Sequence, residues 1–383
     1  MREKVVRIDS VRAEPGSLRR EKRLWHHTDL PTMPIGCGSC ADLSLCGGLR
    51  VTEPIFDCTS YCRCKDPLKC DTVCRARPDH FVSRVTEVQG FDLGDVPRCS
   101  AVKHPELPNY MPLIMHGSRR ESLMAIEAVA IPLGTLLDRR DGSRRFQNAD
   151  ELRDHFMLSA TTEIVVSGTA EDRSIERVWG LEDPKTFAAS LLGMRVAAFT
   201  SPNFSLFNDV PRWDNLYNMK RIAIVWQQLQ DAGLFSPLHV NARTDRDWER
   251  WTDFIEHRPE VSAISFEFGT GAGWQSREGW YTNRLLELGR SISRPLQLYV
   301  RGGLEALSRL RYAFAGVKAI DSRPFMKAVN RQGGELDPAG RIKWTPAPTT
   351  VEQALDDLLL LNIAVCRLDA LQESRRREGS VER

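Results

Sequence analysis

No apolar run in the 383 residues approaches the ~18 that a membrane-crossing helix needs. The N-terminal stretch "MREKVVRIDSVRAEPGSLRREKR" also lacks the apolar core of a secretion signal. A cytoplasmic protein with no membrane partner is therefore expected. Charge of either sign is in no excess: 53 basic side chains face 51 acidic ones, for a net charge of +2. No overall field draws such a molecule to nucleic acid, so any contact of that kind must come from a local patch. Cysteine is almost missing after Cys99, where Cys366 alone sits in the helical run "LLLLNIAVCRLDAL" and reads as a core residue.

The other nine cysteines are crowded between Cys37 and Cys99. In a reducing compartment such crowding points to metal or redox chemistry rather than disulfides. The order is Cys37-x2-Cys40-x5-Cys46, then Cys58-x3-Cys62-x-Cys64-x5-Cys70-x3-Cys74, then Cys99. Thiolates two or three residues apart converge on one ion or cluster across a tight turn. The nine are expected to hold a [4Fe–4S] cluster or Zn2+, since all-thiolate sites suit both. "GCGSCADLSLCGG" resembles the ligand run of auxiliary iron–sulfur clusters in radical-SAM enzymes, and the later cysteines resemble the thiolate zinc clusters that precede some methyltransferase domains. The nucleating Cys-x3-Cys-x2-Cys motif of radical-SAM enzymes is not met, because Lys65 stands where the third cysteine would be.

Beyond Pro97 the texture changes to short apolar runs alternating with helical patterns, the signature of βα units on a parallel sheet. Eight strands are expected: "MPLIMHG", "AVAIPLGTLL", "EIVVSG", "RVAAFTSP", "PLHVNA", "SAISFEFG", "LQLYVRGG" and "VKAIDS". Helices are expected at "DPKTFAASLLG", capped by Asp183, and from Pro211 to Gly233, with a last helix capped by Thr350. The fold class is α/β, a (β/α)8 TIM-like barrel preceded by a small loop-rich, cysteine-rich module; an open doubly wound sheet is the alternative. In residue ranges this means a basic segment at 1–30, a metal-binding module at 31–105, a barrel at 106–345, and a helix with a charged tail at 346–383.

Residues 178–275, most clearly "TSPNFSLFNDVP", resemble the family catalogued as domain of unknown function 4417. Asp209 matches the second acid of that family's pattern, whereas Asn203 stands where its first acid would be. The resemblance implies a fold rather than an activity.

Barrel chemistry gathers at the C-terminal ends of strands. There the expected catalytic groups are Asp209, Glu267, Asp321 and His116, and the expected substrate-binding groups are Asn203, Asn241, Arg301, Gly271 and Gly302. Glu267, between Phe266 and Phe268, is costly to place unless it faces a polar centre or sits at an edge in an ion pair. Arg301 and Asp321 read as a structural pair or as substrate-binding groups. Gly271 in "FGTGAG" and Gly302 in "VRGGLEAL" would let backbone N–H groups approach a phosphate. These readings point to a metal-containing enzyme acting on a nucleotide, nucleobase or nucleic acid, with base-exchange transglycosylases as a fold-level analogy. One alternative is a nucleic-acid-binding protein of a mobile element or phage, with Arg119, Arg120, Arg139, Arg140, Arg144 and Arg145 on one surface. Another is an iron–sulfur redox protein.

Overall fold

Continuous runs of small and β-branched residues form strands that are buried along nearly their whole length, as parallel strands covered on both faces must be. The computed structural model describes residues 81–138, 143–181, 183–206, 212–269, 274–338, 340–350 and 353–381. Eight of the nine clustered cysteines, Cys37 to Cys74, lie outside these residues, as do Asp209, Gly271, Arg139 and Arg140. The chain divides into two compact units: Met1–Asp95 with Phe204–Arg221 and Asn241–Arg250, and Val96–Asn203 with Ile222–Val240 and Trp251–Arg383. Two later segments belong to the first unit.

The strands are β1 (Tyr110–Pro112), β2 (Ala128–Pro132), β3 (Glu163–Ser167), β4 (Val196–Phe199), β5 (Leu238–His239), β6 (Ala263–Glu267), β7 (Gln297–Arg301) and β8 (Gly316–Asp321). Each overlaps an expected run, although β1 ends at Pro112 where its run continues to Gly117, and β2 ends at Pro132 where its run continues to Leu137. All pair in parallel, as one five-stranded sheet ordered β1-β8-β7-β6-β5 and one three-stranded sheet ordered β2-β3-β4. Backbone bonds also cross between the sheets. Leu113 pairs with Ala130 and the Ile114 N–H donates to the Ala130 carbonyl at 2.9 Å. On the other side the Phe199 and Ser201 N–H groups donate to the Phe235 and Pro237 carbonyls, each at 3.0 Å.

The helices are α1 (Phe81–Glu87), α2 (Ala149–Phe156), α3 (Asp172–Trp179), α4 (Pro184–Gly193), α5 (Arg212–Asp231), α6 (Asp245–Glu256), α7 (Trp274–Ser291), α8 (Leu307–Leu310), α9 (Arg323–Val329) and α10 (Asp356–Val381). Asp183 caps α4 through the Lys185 and Thr186 N–H groups, as its position predicts. The last helix starts at Asp356 rather than at Thr350. Leu355 donates its N–H to the Arg119 carbonyl, and the Asp356 carboxylate accepts from the Glu121 and Ser122 N–H groups. Docking on the loop after β1 therefore fixes the chain at Leu355 and Asp356, where the helix begins. An antiparallel hairpin, β9 (Gln332–Leu336) with β10 (Ile342–Pro346), was not expected, because Gly333 and Gly334 are poor strand formers. Gly334 is there for space: a Cβ on it would lie 3.0 Å from the Trp344 ring.

One buried cluster unites the strands of the second unit. Met111, Leu113, Ala128, Ala130, Val165, Ala198, Phe235, Ala263, Tyr299 and Ile320 pack together, large residues opposite small ones. The polar groups among these strands are satisfied. The Lys318 ammonium donates to the Leu107 carbonyl at 2.6 Å, and the Tyr299 hydroxyl lies 3.1 Å from His104 Nε2. His239 is fully enclosed, with Nδ1 3.4 Å from the Ser265 hydroxyl, and burial pushes its pKa down to about 3, so it stays neutral.

The described part of the first unit is held by arginines stacked on aromatic rings. Arg84 pairs with Asp214 and lies over Trp213 and Tyr217, while Arg221 lies over Phe204 at 4.0 Å and Tyr217 at 4.5 Å.

Candidate active site

β6 ends on Glu267 and β7 on Arg301, which face each other across the sheet because their register pairs them directly. The Glu267 side chain is 6% exposed and the Arg301 side chain 24%, with Arg301 Nε 3.6 Å from Glu267 Oε1. From the loop after β4, the Asn203 amide nitrogen donates to Glu267 Oε2 at 3.4 Å. Arg301 Nη1 donates to the Thr169 carbonyl at 3.0 Å and reaches the Ser167 hydroxyl at 3.5 Å. Strand ends β3, β4, β6 and β7 of one unit therefore converge on a single carboxylate–guanidinium pair.

Tight backbone contacts hold these ends. Gly168 sits where a Cβ would fall 2.0 Å from the Thr200 carbonyl oxygen, so only glycine lets the end of β3 lie against the end of β4. Its N–H donates to the Thr200 hydroxyl at 2.8 Å, and its carbonyl accepts from the Asn203 N–H at 3.3 Å. Gly302 has φ +70° and packs on the Phe268 carbonyl, which a Cβ would approach to 2.6 Å. Its glycine is thereby explained by the fit of the β7 loop against the end of β6.

Burial raises the Glu267 pKa above the ordinary glutamate value. The Arg301 charge and hydrogen bonds from Thr169 and Asn203 pull the other way without overcoming it. A carboxyl poised in this manner, beside a donor-rich partner, suits proton transfer.

The other expected site residues are distributed differently. Asp321, at the end of β8, pairs with Arg323 at 3.0 Å and accepts from the Tyr110 hydroxyl at 3.1 Å, and Arg323 also reaches Asp369 on α10. Arg301 and Asp321 are thus not partners of each other: each has a nearer ion-pair partner, Glu267 for the one and Arg323 for the other. His116 Nδ1 accepts from the Ser118 N–H at 3.2 Å and its ring meets Phe325 edge-on; burial lowers its pKa. Asn241 belongs to the first unit, where its amide donates to the Phe204 carbonyl at 3.0 Å. Ser167 and Thr169 were missed, although "VVSGT" at a strand end carries the signal. The glycine lets the strand stop sharply, and the hydroxyl residues on either side lie next to the ion pair.

Of the nine cysteines expected to bind metal, Cys99 is described. It is partly buried in the second unit; burial, then the Glu260 carboxylate, pushes its thiol up to about 11. Among the described residues no group of three or more His, Cys, Asp and Glu side chains is placed to hold a metal ion, and no helix is long and apolar enough to cross a membrane. The expected basic surface loses one member, because Arg120 is buried and donates to the Phe156, Met157 and Ser122 carbonyls. Comparison of the chain with models of known protein families and with curated proteins finds no match.

Proposed function

We propose that the eight parallel strands close into a (β/α)8 barrel and that the chain is an enzyme in which Glu267 carries a proton to or from a nucleotide or nucleobase substrate. Support for closure comes from the bonds at Ala130, Phe235 and Pro237, which bridge both gaps between the sheets, and from the single cluster to which residues in or next to all eight strands contribute. The observation that carries the function is the burial of the Glu267 carboxylate against Arg301 at the C-terminal strand ends, where barrel enzymes place their chemistry. Asn203 carries an amide, the group type that pairs with a base edge, and the Arg301 fork suits a phosphate. The clustered cysteines of residues 37–74 are proposed to bind the metal, and no chemical step is assigned to it.

Closure is tested by amide hydrogen exchange. The Ile114, Phe199 and Ser201 N–H groups are expected to be as protected as that of Val300 in the middle of β7; exchange at open-edge rates would leave two separate sheets. For the substrate class, the purified protein is incubated with nucleosides, nucleotides and free bases, and conversion is followed by mass spectrometry. Turnover lost in Glu267→Gln is expected. Neither conversion nor saturable binding of any of these compounds would sink the substrate assignment.

A further inference from the structure

Arg301 is held on one side only. Its Nε edge faces Glu267 and its Nη1 is bonded to the Thr169 carbonyl and near the Ser167 hydroxyl, while Nη2 has no hydrogen-bond partner among the described residues. The side chain keeps about a quarter of its surface open. A guanidinium anchored through Nη1, with Nη2 unbonded among the described residues beside a buried carboxylate, can take an oxyanion at that second nitrogen.

We infer that Arg301 Nη2 docks an oxyanion of the substrate, a phosphate or a carboxylate, and that this docking makes Glu267 take up the proton it later donates. The inference rests on Glu267 being the proton carrier. In the free protein the Arg301 charge opposes burial and keeps Glu267 from rising further. An anion on Nη2 offsets that charge and adds a repulsion of its own at short range. Both effects favour the neutral carboxyl. The remaining groups that face Glu267 from β3 and β4, those of Thr169 and Asn203, are uncharged. The substrate would thus load the acid by its own charge, so that the site holds a donatable proton when a substrate is present to receive it.

By linkage, the anion must bind more weakly as pH rises through the Glu267 pKa of the free protein, because binding then requires a proton that solution supplies less readily. Sulfate is the probe for phosphate and acetate the probe for carboxylate, since both stay ionised at every pH above about 6, and the titrations are repeated across that range. Calorimetric titration in two buffers of different ionisation enthalpy reads the protons taken up. Binding with uptake of up to one proton is expected in the wild-type chain, with uptake abolished and binding kept in Glu267→Gln. The Arg301→Gln, Glu267→Gln double variant leaves no charge unpaired and is expected to lose binding at least tenfold while still folding. Preference for sulfate or for acetate identifies the oxyanion as phosphate or carboxylate. Binding without proton uptake, or binding unchanged in the double variant, overturns the inference. Failure of both ions to bind also overturns it, and leaves the role of Glu267 to be decided separately by the pH dependence of stability of Glu267→Gln.

Discussion

Glu267→Gln is expected to lower turnover by about 10²- to 10⁴-fold, the usual contribution of a positioned acid or base, while its effect on stability changes with pH. The folded-state pKa of Glu267 is raised, chiefly by burial. Its contribution to stability is therefore fully present below the ordinary glutamate value of 4.5 and is lost as pH rises through the raised folded value. Glutamine keeps the shape and does not titrate. The melting temperature of the variant relative to wild type should accordingly climb from acid to alkaline pH, with the rise confined to the interval between the two pKa values. Thermal melts from pH 4 to 9 check this. A difference that stays flat would mean that the fold leaves this carboxyl unshifted, and one that falls as pH rises would mean that it is better off ionised in the fold than in water, as in a purely structural ion pair with Arg301.

Arg120→Ala is expected to cost about 3–5 kcal/mol, the range for removing one partner of a buried ion pair. The Arg120 side chain is 2% exposed. Its nitrogens donate to the Phe156 carbonyl at 2.8 Å, the Met157 carbonyl at 3.0 Å and the Ser122 carbonyl at 3.1 Å, and Nε lies 3.4 Å from Asp356 at the start of α10. Alanine would orphan the three carbonyls together and loosen the contact that stops α10 at Asp356. Lysine would recover little, because a point charge cannot span three carbonyls and a carboxylate as a planar fork does. Urea denaturation distinguishes this from a phosphate-binding surface arginine, for which both substitutions would fall within about 0.5 kcal/mol of wild type.

The two residues differ in how far the sequence foretells them. Glu267 was legible because a carboxylate between two phenylalanines in an apolar run violates the local pattern, and such violations mark sites or paired charges. Arg120 follows Arg119 in "HGSRR", a stretch that reads as solvated, and nothing nearby in the chain announces its partners. Apart from the Ser122 carbonyl, two residues on, they lie 36, 37 and 236 residues away. The same distance in sequence hid the choice between Arg301–Asp321 and Arg301–Glu267. Both carboxylates end strands next to β7, and whether the guanidinium turns toward β6 or β8 depends on competitors: Asp321 is already engaged by Arg323, two residues on, and by Tyr110.

Sequence alone determined the parallel α/β character and the approximate position of the eight parallel strands, because strands buried on both faces must be written as apolar runs and the helices between them as periodic, capped segments. It also determined that the cysteines crowd before Cys99 and that Glu267 and Arg301 end neighbouring strands. Tertiary structure decided what those side chains meet: that Gly168 and Gly302 are required by backbone approaching backbone, that Ser167, Thr169 and Asn203 join the ion pair, and that Arg120 is interior. Periodicity is a local property, set by each segment's own need to cover one face. Partnership is settled by the register and packing of segments tens to hundreds of residues apart, and a single sequence carries no local trace of it.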